Sequence, residues 1–168
     1  QGDQVRDLMT GSLDASLLLG IPIAGLDQAS SAPKPGLVEN EAVYPDSLER
    51  ILLRRVQIGL VVPESSSLAQ YEIVPKAALA GQTIAMLTLE HGHAFIDPMD
   101  AFLRGCGAHL HYPAEGTAFA IERYAVRHGV CAIGIGWFPC LPGTGLRPVE
   151  DMNFFMDLAV VISPGANL

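Results

Sequence analysis

Four of the five histidines stand in two H-x-H pairs. His91 and His93 belong to "TLEHGHAFIDP" (residues 88–98), with Glu90 just ahead of them, and His109 and His111 belong to "AHLHY" (residues 108–112). Imidazoles beside a carboxylate are the ligand types of a zinc site. They are equally the residues with which a polar loop meets a small molecule. Position separates the two readings. The first pair follows a short apolar strand, at its exit. The second lies inside the next strand, both members on one face by the period of two. Four side chains so placed do not converge, and zinc also needs a tetrahedral set with a second shell behind it. The sequence therefore predicts a pocket rim at Thr88, Glu90, His91 and His93. A metal-binding protein or metal-dependent enzyme built on Glu90, His91 and His93 is the alternative. No cofactor is expected.

The elements that position this loop can be read from apolar spacing. "TIAML" (residues 83–87) is a buried strand. Asp97 suits an N-cap, Pro98 a first helical residue and Asp100 a first turn. Met99, Phe102, Leu103 and Cys106 then mark one helical face, which Gly105 and Gly107 end. "AHLHY" is the next strand. A helix over 116–128 follows, with Ala118, Ile121, Tyr124 and Ala125 inward and Gly129 as its stop. "VCAIGI" (residues 130–135) is a third strand. This β-α-β-α-β order implies parallel strands with helices on the faces. Before it, 3–10 reads as a helix end stopped by Gly11, 13–19 as a strand, and 48–63 as two successive strands. After it, a Gly/Pro-rich return leads to a last strand at 154–163. Two strand clusters joined by long connections define an α/β protein with two lobes. The first lobe takes residues 1–62 and 138–168; the second takes 63–137.

Open α/β sheets bind ligands beyond the carboxyl ends of their strands. Those ends are 88–93, 113–117 and 136–137 in the second lobe, and Leu19-Gly20 in the first. The expected contacts are thus Leu19, Gly20, Thr88, Glu90, His91, His93, Thr117 and Trp137. Helix starts near Asp97 and Thr117 favour an anion, but Glu90, Asp97 and Glu115 oppose one, so ligand charge stays open. No G-x-S-x-G elbow, phosphate loop or G-x-G-x-x-G helix opening is present, and the serines at 65–67 have no base arranged to activate them. An enzyme is not expected.

Composition narrows the class. Across 168 residues, 49% are hydrophobic and 17% charged, and 10 basic residues face 18 acidic ones for a net charge of −8. Such a balance argues against gripping a phosphate backbone. No apolar run is long enough for a membrane span, and "QGDQVRDLMTG" has no basic start leading into an apolar stretch, so a cytoplasmic protein is expected. Cys106, Cys131 and Cys140 fit no metal spacing and read as thiols in a reducing compartment, a Cys131–Cys140 redox pair being the alternative.

Several stretches together resemble LysR-type transcriptional regulators. "VRDLMTGSLDASLLLG" looks like the helix end and G-x-L-D leading into their pocket strand. "RRVQIGLVVPESSSLAQYEIVPKAALAGQTIAML" is similar to their crossover strand, loop and short helix, with "SSLA" (residues 66–69) where the family often has "hPLA". "ERYAVRHGVCAIGIGWFP" resembles their helix, G-h-G strand and return. The resemblance implies a type 2 periplasmic-binding-protein-like fold: two Rossmann-like lobes with an inducer in the cleft, the first lobe incomplete. It implies Thr88, Glu90 and His91 as polar contacts and Trp137 as an apolar wall. It further implies a homo-oligomer, and DNA bound only through a winged helix-turn-helix that is not among these residues. A solute-binding receptor of the same fold is the remaining alternative.

Overall fold

The structure, a computed structural model, describes residues 2–21, 45–88 and 93–166. Among these, the strands are β1 (Ala15–Gly20), β2 (Glu49–Gln57), β3 (Gly59–Pro63), β4 (Thr83–Ala85), β5 (His109–His111), β6 (Cys131–Gly134), β7 (Thr144–Arg147) and β8 (Phe155–Ile162). The helices are α1 (Gly2–Met9), α2 (His93–Gly105) and α3 (Ala118–His128), with two 3₁₀ turns at Ser67–Gln70 and Lys76–Leu79. The chain divides into two compact units, residues 1–56 with 155–168, and residues 57–154.

In the first unit the sheet order is β1-β8-β2. β1 runs antiparallel to β8, with Leu18 opposite Ala159 and Gly20 opposite Asp157. Side chains alternate between faces, so Leu18, Ala159 and Val161 point together into a small core with Leu48 and with Leu8 of α1. The spacing Val5–Leu8 brings α1 onto that core. Gly11 ends the helix as its sequence predicts, with a backbone φ of 72° in the left-handed region that glycine adopts freely. The Ser163 hydroxyl donates to the Leu8 carbonyl at 2.9 Å.

In the second unit the order is β5-β4-β6-β3-β7. β4 is parallel to both β5 and β6, the arrangement expected of the β-α-β-α-β run. β3 is antiparallel to β6 on one side and to β7 on the other. Every residue of β3 and of β6 is buried, which is why both read as unbroken apolar runs rather than alternating ones. Because β3 is hydrogen-bonded into this sheet, the unit boundaries fall at 56/57 and 154/155. Sequence patterning alone places them at 62/63 and 137/138.

Two elements differ from expectation. α2 begins at His93, so Pro98 lies inside it rather than at its start. Phe95 and Ile96 are buried on the same side as Met99 and Leu103, and that burial extends the helix backwards. Pro98 is the sixth helical residue, so its missing N–H costs a single bond near the helix's start. β7 falls where the sequence shows only a Gly/Pro-rich return. Its partner β3 lies far back in the chain, beyond the reach of local patterning. Among the described residues, no helix is long and apolar enough to cross a membrane.

Candidate functional site

β5, β4 and β6 are adjacent and parallel, so their carboxyl ends lie side by side. The segments leaving them carry Thr117, Thr88 and Trp137 respectively. The first two are drawn together by Gly116. A Cβ there would stand 2.6 Å from the Thr88 backbone nitrogen and closer still to its Cγ2. Only glycine permits the approach. The Thr88 N–H points at the Gly116 carbonyl at 3.5 Å.

Thr117 is the N-cap of α3, in an extended conformation with φ -76° and ψ 156°. Its hydroxyl accepts from the Ala120 N–H at 3.3 Å, which satisfies one of the helix's free donors. That side chain is therefore engaged with its own helix. Gly129 closes the other end with φ at 65°, in the left-handed region usual for a glycine stop. Trp137 borders a recess also lined by Ala118, Glu122, Phe138, Cys140 and Leu146. At about 30 Å³ this recess has room for a water molecule or two and no metabolite. Phe138 packs on Phe119 with ring centroids 5.5 Å apart, and both are exposed.

Glu122 is a functional candidate that the sequence reading does not single out. It is buried, and Oε1 accepts from the Leu141 N–H at 2.5 Å and lies 3.1 Å from the Thr144 hydroxyl. It thereby pins the return segment to α3. A signal for it is present: positions 118, 121, 122 and 125 form one helical stripe, and Glu122 is the single charge on it.

The other expected contacts are distributed as follows. Glu90 and His91 lie outside the described residues. His93 opens α2. Leu19 and Gly20 end β1 in the first unit, paired with Leu158 and Asp157. His109 and His111 are exposed on edge strand β5, and His111 stacks on Tyr124, centroids 4.8 Å apart, with His128 on Tyr124 in turn at 4.2 Å. Among the described residues no three His, Cys, Asp or Glu side chains come together to hold a metal. Ser66 caps a 3₁₀ turn by accepting from Leu68 N–H at 3.2 Å, which gives the serine run a structural role.

Three titratable groups near this end of the unit are bonded to one another. The Tyr112 hydroxyl donates to Asp100, which also holds Arg104 through Nε at 2.5 Å. Burial, reinforced by the Asp100 carboxylate, pushes the Tyr112 phenol up to about 12, since both disfavour the phenolate. Burial pulls Asp100 upward as well, but hydrogen bonds from Arg104 and Tyr112 outweigh it and hold its carboxyl below the usual value. All three cysteines are free, and burial raises each thiol, with the Glu122 charge adding to the effect at Cys140. A raised thiol carries little thiolate, which disfavours the Cys131–Cys140 redox reading.

No family model matches the sequence, and neither does any curated protein. Solved structures do. The chain superposes on the C-terminal domain of a probable LysR family transcriptional regulator from Rhodococcus sp. RHA1 with a TM-score of 0.65 at 16% identity, covering 100% of this chain and 74% of that one. It superposes on the reduced regulatory domain of OxyR from Pseudomonas aeruginosa with a TM-score of 0.59 at 15% identity, covering 98% of this chain and 71% of that one. With CbnR, a LysR family transcriptional regulator, the TM-score is 0.62 at 11% identity, over 99% of this chain and 52% of that one. The fold is that of LysR-family regulatory domains, and this chain spans about half to three quarters of the length of these neighbours.

Proposed function

We propose that this chain is a ligand-sensing domain of a LysR-type transcriptional regulator. It takes up a small organic effector at the carboxyl ends of β5, β4 and β6. The bound form then favours one conformational state of the protein, which changes how a winged helix-turn-helix is presented to DNA. The observation that carries this reading is the fold match along nearly the whole chain to regulatory domains, among them the effector binding domain of a BenM variant at a TM-score of 0.59. The meeting of Thr88, Gly116 and Thr117 with Trp137 nearby supports the location. Leu19, Gly20, Glu90, His91 and His93 join the proposed ligand set by resemblance. The fold neighbours are regulator domains rather than enzymes, so a receptor role is favoured, and with it a cytoplasmic, self-associating protein.

The reading is tested by thermal shift of the chain against amino acids, aromatic acids, central metabolites and divalent metals, with a chelator control. A ligand of the folded state at a hundred times its dissociation constant adds about 2.7 kcal/mol. The expected result is a shift with one organic class that is lost in Thr88→Ala or Trp137→Ala. A shift with zinc alone, reversed by chelator, would overturn it.

A further inference from the structure

The chain passes between its two units twice, at Val56-Gln57 and at Phe154-Phe155. β2 and β8, which make these passages, are neighbours in the first unit's sheet. Their pairing continues past the sheet's edge: Ile58 N–H donates to the Phe154 carbonyl at 2.9 Å, and Gln57 Nε2 to the Met152 carbonyl at 3.3 Å. Just inside the first unit, Arg55 grips Asp157 with both nitrogens, Nε to Oδ1 at 2.6 Å and Nη2 to Oδ2 at 2.8 Å. The two side chains are only 10% and 2% exposed. Asp157 lies opposite Gly20, so this one level of the sheet ties together all three strands.

The two sides of the passage are thus held by bonds of different kinds. Two parallel charge-assisted bonds in a dry setting are directional and strong, because a planar fork meets a planar carboxylate. The bonds at Ile58 and Gln57 are single and neutral, each of modest net strength. We propose that Arg55 and Asp157 form a clamp that locks the register of the two crossover strands where they leave the first unit. The clamp belongs to the chain without ligand, so its test does not depend on the effector reading.

Amide hydrogen exchange on the unliganded chain decides it, in Arg55→Lys, in Asp157→Asn and in the double variant Arg55→Met/Asp157→Leu. Lysine keeps the charge and loses the fork; the double variant removes both charges and retains apolar bulk. In each, amides of residues 55–58 and 154–158 should exchange about tenfold faster or more, reporting local opening. Ala15 to Leu17, their partners Val160 to Ile162 at the far end of the sheet, and β6 should keep their rates. Should Asp157→Asn not fold, the other two variants settle the matter. An equal gain across the whole sheet would reduce the pair to a general stabiliser and overturn the clamp, as would unchanged exchange at the passage. Full protection in the double variant would overturn it too, by showing that packing alone suffices.

Discussion

The sheets of the two units are stabilised by different means. In the second unit, β3 and β6 are buried along their whole length and are covered by neighbours. In the first, β1 and β2 are the outer strands among the described residues, and Leu17, Leu19, Ile51 and Leu53 on them are exposed. What the smaller sheet has instead is the Arg55–Asp157 pair, one level of charge in a modest apolar core. The contrast teaches that the same kind of substitution should act differently in the two units. Loss of apolar volume governs the second; loss of a charge partner governs the first.

The largest effect should come from Asp157→Asn, which takes from the buried Arg55 guanidinium the carboxylate that it grips with two nitrogens and costs about 3–5 kcal/mol. Urea unfolding followed by a probe in the first unit measures it. In the second unit Leu60→Ala should cost about 2–5 kcal/mol by leaving a cavity in β3, and the same titration with a probe near Trp137 reads it. If Leu60→Ala spared the second unit while Asp157→Asn unfolded both, the contrast would fail. Gly116→Ala comes next: a methyl group forced against Thr88 must shift the loop, at about 1–3 kcal/mol, and should weaken any ligand held at the strand ends.

The smallest effect is a pH dependence. The Tyr112 phenol is raised in the folded chain, to about 12. Its contribution is therefore fully present below pH ~10, the ordinary tyrosine value. That contribution is lost as pH rises through about 12, where the folded phenol finally ionises. Tyr112→Phe should remove that part of the alkaline loss of stability. Asp100 acts in the opposite direction. Its lowered carboxyl stabilises the fold above the ordinary aspartate value and ceases to do so as pH falls through its own.

Sequence patterning reveals the second unit well where burial imposes a period. The order of β4, α2, β5, α3 and β6, the start of α3 near Thr117 and the stop at Gly129 all follow from local rules. The start of α2 escapes because Pro98 is a stronger local signal than the burial of Phe95 and Ile96, which depends on distant partners. β7 escapes for the same reason: a short segment with a glycine becomes a strand only because β3 offers an edge. At the site, glycine's role at 116 and the carboxylate at Glu122 are contacts across loops. The sequence shows the residue types there without showing what they touch. The histidines have the most conspicuous spacing, yet His111 ends in a stack with Tyr124.

The most direct test of the effector reading is a heteronuclear NMR titration of the chain with the organic compound that gives the largest thermal shift. The account predicts saturable perturbations at Thr88, Gly116, Thr117, Gly136 and the Trp137 indole, with His109 and His111 unmoved. Perturbations gathered on the exposed face of β5, or none at any of the three strand ends, would contradict it.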